Sequence, residues 1–346
     1  DSRLINSSFK IIISAIIMSV GCYFINQMIF SNLQDFNSLL QIVSLIFVII
    51  CCKIIYLGMI FMLKVLTVQE LKGYMQNKTI LVTNSKIYKE LTAYCKNELD
   101  TIGCCILSNF VQPNSINKML NEIDSKRSQV YWSDESHNPY FTKKDSSFPN
   151  NHPINSFGDR NNGYLNGDLI PEDSDLNTLY HREELKDLVS NCLDIKPLFH
   201  WADPLAKNVY NCMDPGNYFP WHFDSNEFTL SILIQKADEG GNFEYVPNLR
   251  KPNDENFEGV KRVLDGDREN VRVLELEVGD LQIFKGRYSM HRVSKVEGKT
   301  TRYIALPTYT LDGWRVNTPE HARVVYGKVL PIHYERNVER ADGLKD

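Results

Sequence analysis

A chain of 346 residues, 43% of them hydrophobic and 23% charged, can bury a substantial core and has room for one large domain or two. Its net charge of −5, with no Lys/Arg-rich run, argues against a nucleic-acid partner, because phosphate binding needs a positive field. The eight cysteines include no pair at Cys-x-x-Cys spacing and two adjacent pairs, a usage that fits reduced thiols facing the cytosol rather than a zinc site or a disulfide framework.

In chain order, two apolar runs come first. Ile11–Phe30 is twenty residues without a charge, long enough to cross a bilayer as a helix, and Leu39–Leu63 is longer but carries Lys53, a costly charge at mid-membrane. Arg3 and Lys10 precede the pair and Lys64 and Lys72 follow it, whereas the loop between holds only Asp35. The positive-inside rule therefore predicts a transmembrane hairpin over residues 1–68, with spans at about 11–30 and 39–63 and both ends cytosolic, the endoplasmic reticulum being the favoured membrane. If this segment is instead a processed targeting sequence, the remainder is cytoplasmic.

Residues 69–346 read as a soluble domain. "KIYKELTAYCKNELDTIG" and "NSINKMLNEIDSKRSQ" carry apolar residues at helical spacing, with "CCILSNFV" between them as a strand. Residues 133–177, rich in Asn, Asp, Ser and Pro but dotted with Tyr140, Phe141, Phe148, Phe157 and Tyr164, read as a long ordered loop, a lid over a pocket. "REELKDLVSNCL" follows as a short helix. From about 208 to 310 the pattern turns to β: "NVYNCMDP", "FTLSILIQ", "GNFEYVP", "VRVLELEV", "DLQIFKG", "HRVSKVE" and "RYIALPTYT" are the predicted strands, separated by Gly-containing turns. The fold class expected is mainly β with flanking helices, an antiparallel jelly-roll barrel.

Within that region "PWHFDSNEFTLSILIQ" places His222 and Asp224 two positions apart. Residues i and i+2 of a strand project to one face, so both side chains can reach one ion. A mononuclear iron site of the facial-triad type needs a second histidine from a distant strand, and His291, 67 residues after Asp224, is the candidate. Arg302 follows eleven positions later, where a guanidinium can hold a carboxylate bidentately. The other His-x-Glu pairs lack a third ligand: His181 and Glu183 open a charged helix, and His333 and Glu335 lie beyond the last core strand, so both pairs read as solvated.

With His222-x-Asp224, His291, Arg302, the double glycine of "GGNFEY" and "GDLQIF" in place, the chain resembles the Fe(II)/2-oxoglutarate-dependent oxygenases over roughly Gly103 to Tyr309. That resemblance implies a double-stranded β-helix, a jelly-roll or cupin-like barrel with helices on one side. It also implies iron held by His222, Asp224 and His291, with 2-oxoglutarate and O2 as co-substrates and Arg302 on the distal carboxylate of 2-oxoglutarate. The wording around these motifs is similar to a branch that acts on free amino acids and includes amino-acid halogenases. Those halogenases carry Gly where this chain has Asp224, so the resemblance implies oxygenation, not chlorination.

The function expected is oxidation of an unactivated C–H bond of an amino acid or an amino-acid-derived small molecule, releasing succinate and CO2, with hydroxylation first. Desaturation or oxidative ring closure of kainoid-synthase type stands beside it, and a membrane-anchored barrel that binds a ligand without catalysis is the reading of another class. For contacts to 2-oxoglutarate or substrate, the sequence nominates Tyr210 on the first barrel strand, Asn226 and Glu227 just past Asp224, Arg250 after the "GGNFEYVP" strand, and Tyr164 and Asp168 on the predicted lid.

Overall fold

The structure, a computed structural model, describes residues 86–336 and 341–345. The expected hairpin over 1–68 and the boundary at residue 69 lie outside the described residues. Among those described, no helix is long and apolar enough to cross a membrane.

Two antiparallel sheets face each other. The larger has seven strands: β1 (Cys104–Leu107), β2 (Tyr131–Trp132), β3 (Gly163–Leu165), β5 (Asn208–Met213), β7 (Thr229–Gln235), β11 (Leu281–Phe284) and β14 (Arg302–Pro307), in the spatial order β1-β11-β7-β14-β5-β3-β2. The smaller has four: β6 (Phe219–His222), β9 (Phe243–Val246), β10 (Arg272–Leu274) and β12 (Met290–Val293), in the order β10-β9-β12-β6. Two short pairs complete the strands, β4 (Phe199–His200) with β15 (Tyr309–Thr310) and β8 (Glu239–Gly240) with β13 (Val296–Glu297). This is the expected jelly-roll architecture, mainly β and antiparallel.

Alternation along the large sheet creates the interior. Tyr210, Cys212, Leu230, Ile232, Ile234, Leu281, Ile283, Tyr303 and Ala305 face outward into the main hydrophobic core, and the residues between them, such as Asn211, Ser231, Gln282 and Ile304, face the small sheet. The outward layer is covered by helices α1 (Lys86–Ile102), α2 (Pro113–Ser125) and α4 (Glu183–Leu193). Tyr88, Leu91, Cys95 and Leu99 of α1, like Leu185, Leu188, Val189 and Cys192 of α4, recur at three- and four-residue spacing and form one buried face each. Pro113 starts α2 at a position where the missing N–H removes no helical bond. The five described cysteines are all free and buried.

Several sequence expectations change in detail. Residues 133–177 are not one loop: β3 and the first residues of α3 (Asp175–Tyr180) lie within them, and β3 pairs with β5 to extend the large sheet. Gly163 permits this, since a Cβ there would stand 2.6 Å from Val130 Cγ1. "VRVLELEV" forms strand only at Arg272–Leu274, while "HRVSKVE" and "RYIALPTYT" each break into two strands. Four helices were not anticipated: α3, α5 (Phe257–Leu264), α6 (Pro319–Tyr326) and α7 (Pro331–Glu335). The solvated reading of His333 is overturned too. It is buried, its Nδ1 accepts from the Leu330 N–H at 2.9 Å, and its Nε2–H donates to buried Asp203 at 3.2 Å. Asp203 also accepts from the backbone and side-chain N–H groups of Asn317, and so ties the C-terminal helices to the barrel.

Candidate metal centre

His222 ends β6 and His291 lies opposite it on β12, the two residues being direct cross-strand partners. Their rings come within 4.1 Å, centroid to centroid. Asp224 is not on the strand, as expected from the sequence, but two residues past its end. There its N–H donates to the Gly286 carbonyl at 3.1 Å, while the preceding Phe223 N–H donates to Pro139. That turn brings Asp224 Oδ1 to 3.4 Å from His291 Nε2 and 3.9 Å from His222 Nε2. One donor atom from each of the three lies within 4.8 Å of the other two.

The surroundings prepare the three side chains as ligands. Each imidazole donates its Nδ1–H to a backbone carbonyl, His222 to Pro220 at 2.8 Å and His291 to Ser289 at 3.0 Å, which turns both Nε2 atoms toward Asp224. Phe219 stacks on His222 at 3.9 Å, and Phe284 meets His291 edge-on at 4.9 Å, so the ring planes are held. Burial keeps His222 neutral by pushing its pKa well down. Burial also pushes the Asp224 carboxyl up, but the facing imidazoles and the Thr229 hydroxyl, which donates to Oδ2 at 2.6 Å, outweigh it and hold the group ionised. Two imidazole nitrogens and one carboxylate, converging within 4.8 Å, are the donor set of a mononuclear Fe(II) centre.

Arg302 begins β14 of the large sheet and lines the same cleft as the triad. It is 6% exposed, and burial is the sole influence on its charge, with no carboxylate acting on it among the described residues. Gly241, at φ +60°, gives its stem passage: a Cβ there would stand 2.9 Å from Arg302 Cδ. A buried, unpaired guanidinium beside this donor set fits the distal carboxylate of 2-oxoglutarate.

The other nominated residues divide. Tyr164 and Asn226 line the cleft. Tyr210 does not: its side chain points to the opposite side of the large sheet and its hydroxyl donates to Glu122 of α2 at 2.7 Å. Arg250 is committed elsewhere, paired with Glu255 at 2.9 Å and packed over the Phe223 ring at 4.0 Å. Asp168 is a surface partner of Lys328 at 2.6 Å, and Glu227 faces Arg315 at 4.0 Å. These four sit where strand parity and local pairing, not proximity in sequence, place them.

Sequence reasoning missed Thr229 and Arg160. Thr229 was visible as a hydroxyl five positions after Asp224, at the head of an apolar strand. Arg160 is fully buried, lies 5.4 Å from the Tyr164 ring and 5.0 Å from the Phe219 ring, and leaves Nη1 and Nη2 without a hydrogen-bond partner.

Residues 153–318, which hold the triad and Arg302, match the family model of halogenase D. No curated protein sequence matches the chain. Among solved structures, AviO1 from Streptomyces viridochromogenes is similar at 16% identity and TM-score 0.45, over 63% of this chain and 94% of that one. A 2OG-Fe(II) oxygenase-family oxidoreductase from Burkholderia pseudomallei is similar at 14% identity and TM-score 0.42, over 64% and 92%. HygX from Streptomyces hygroscopicus, solved with nickel, 2-oxoglutarate and hygromycin B, is similar at 13% identity and TM-score 0.41, over 62% and 85%. The halogenase D match, over a little under half of the chain, and the donor set facing Arg302 are what an Fe(II)/2-oxoglutarate-dependent oxygenase would present.

Proposed function

We propose that the protein oxidises an unactivated C–H bond of an amino acid or an amino-acid-derived small molecule, with hydroxylation as the outcome. The observation that carries the reading is the His222–Asp224–His291 donor set facing a buried, unpaired Arg302 across one cleft. Iron and 2-oxoglutarate bound there supply oxidation of a C–H bond by O2, with release of succinate and CO2. The chain's own residues supply the rest. His222, Asp224 and His291 hold the ion on one side, Arg302 orients the co-substrate, and the aromatic walls Phe219, Phe243 and Phe284 keep bulk water from the reacting atoms.

Two orphaned polar groups support a substrate that carries both a carboxylate and an amino group. Arg160, beside the cleft walls Tyr164 and Phe219, lacks an anion, and the buried Asn226 Oδ1 on the cleft wall lacks a donor. Asp224 itself supports oxygenation over chlorination, because the carboxylate occupies the position that the halogenases of the resembled branch leave to a halide. The apolar runs at 11–30 and 39–63 support a membrane hairpin that would hold this domain at a cytosolic membrane face, the endoplasmic reticulum first. Protease protection in sealed vesicles tests that placement.

The test of the chemistry begins anaerobically, with Fe(II) and 2-oxoglutarate added to the protein and the visible charge-transfer band of a chelated keto acid as readout. Succinate release across a panel of amino acids follows, with product mass separating a gain of one oxygen from a loss of two hydrogens. Arg160→Leu is expected to raise KM for the responding amino acid at least tenfold and to leave the band unchanged. No band in folded protein sinks the oxygenase reading. A band without amino-acid-stimulated turnover sinks the substrate class alone.

A further inference from the structure

Gly286 lies in the turn between β11 and β12, and its carbonyl accepts the Asp224 N–H. A Cβ built on it would stand 1.9 Å from Asp224 Oδ2, 2.6 Å from Cγ and 3.0 Å from Cβ. The three nearest atoms are therefore all one side chain, and the volume that any other residue would fill is occupied by the carboxylate. Gly286 is not among the glycines at positive φ, so its backbone does not itself demand glycine. The carboxylate cannot simply swing aside, because the Thr229 hydroxyl holds Oδ2 at 2.6 Å and so turns Oδ1 toward the two imidazoles.

We propose that Gly286 is a positioning residue of the metal centre: its missing side chain is the seat of the Asp224 carboxylate. Positions 224 and 286 form a coupled pair, in which a side chain at 286 expels the carboxylate from the donor set and leaves both imidazoles in place. The inference rests on reading His222, Asp224 and His291 as the ligand set. It bears on any oxygenase or halide-binding design for this fold, because a carboxylate at 224 requires glycine at 286, whereas glycine at 224 does not.

The test is a double-mutant cycle of Gly286→Ala and Asp224→Gly with two readouts, Co(II) titration and the melting temperature of the metal-free protein. Gly286→Ala alone is expected to weaken Co(II) binding at least tenfold and to lower the metal-free melting temperature. In the Asp224→Gly background the same change is expected to alter neither, because the three atoms nearest the methyl group have been removed. Co(II) binding that survives Gly286→Ala overturns the proposal. So does an equal loss of melting temperature in both backgrounds, which would show that the turn itself needs glycine. If Gly286→Ala does not fold, recovery of a folded protein in the double variant supports the coupling, and failure to recover refutes it. A wild-type protein that binds no Co(II) removes the ligand reading beneath the proposal, while coupling in the metal-free melting temperatures still decides whether Gly286 seats the carboxylate.

Discussion

Arg302→Met should make the metal-free protein more stable and the enzyme worse. The guanidinium is buried without a partner, and desolvation alone brings its pKa down to about 10. For a base, a folded value below the unfolded one means that the charged folded state is penalised. The penalty is complete at any pH below about 10 and fades only as pH rises from there toward the ordinary guanidinium value. At roughly 1.4 kcal/mol per tenfold change in proton affinity, the charge costs the folded protein about 3 kcal/mol at neutral pH. Methionine keeps most of the length and apolar stem without the charge, so the metal-free variant should gain about 1–3 kcal/mol in urea unfolding. The same substitution removes a charge-assisted bidentate contact to the co-substrate, worth about 3 kcal/mol, which is about a hundredfold in Kd for 2-oxoglutarate by calorimetry on the metal-loaded protein. A variant that is less stable than the parent when metal-free would show that the guanidinium is already satisfied. Unchanged 2-oxoglutarate affinity would remove Arg302 from the co-substrate site.

Thr229→Val, which keeps the shape and removes the hydroxyl that holds Asp224 Oδ2, should weaken Co(II) binding about tenfold with little loss of stability; an unchanged titration would show that Asp224 is seated without it. Tyr210→Phe should leave the 2-oxoglutarate Kd unchanged and cost about 1–3 kcal/mol in urea unfolding, since it strands the part-buried Glu122 carboxylate under α2; a weakened Kd would return Tyr210 to the site. His333→Ala should lower stability by about 1–3 kcal/mol through the lost hydrogen bond to buried Asp203, which keeps its Asn317 donors, with Co(II) affinity intact; loss of metal binding would tie the C-terminal helices to the centre.

The candidate ligands His222, Asp224 and His291 could be read from the sequence because their signal is combinatorial. One His-x-Asp is uninformative, and three such histidine pairs occur here. The one at His222 is followed by β strands, a distant histidine and an arginine at matching spacing, and the fold makes His222 and His291 direct partners across the small sheet. Arg160 carries no such pattern. It stands alone in an Asn-rich stretch that resembles a surface loop, and it is buried only because β3 joins β5 and Phe219 closes over it. That depends on pairing between segments some fifty residues apart, which local composition cannot report.

Tyr210 shows how far strand logic can go once one residue is anchored. Side chains on one strand alternate faces, and directly paired residues on neighbouring strands share a face. Arg302 faces the cleft, so Ala305, three positions on, faces away, and its partner on β5 is Tyr210. The same register puts Asn211 opposite Ile304, on the cleft side. The strand reading of "NVYNCMDP" was sound, and the choice of residue within it was off by one. A one-residue shift between β5 and β14 would have exchanged the two faces, placing a tyrosine hydroxyl in the cleft and an asparagine beneath α2. Burial decides between those registers: the outward face must supply Tyr210, Cys212, Tyr303 and Ala305 to an apolar core, and Asn211 has no place there. Any ligand contact from β5 therefore falls to Asn211, whose amide, already donating to the Gly163 carbonyl at 3.2 Å, stands on the cleft wall that the sequence had assigned to the tyrosine.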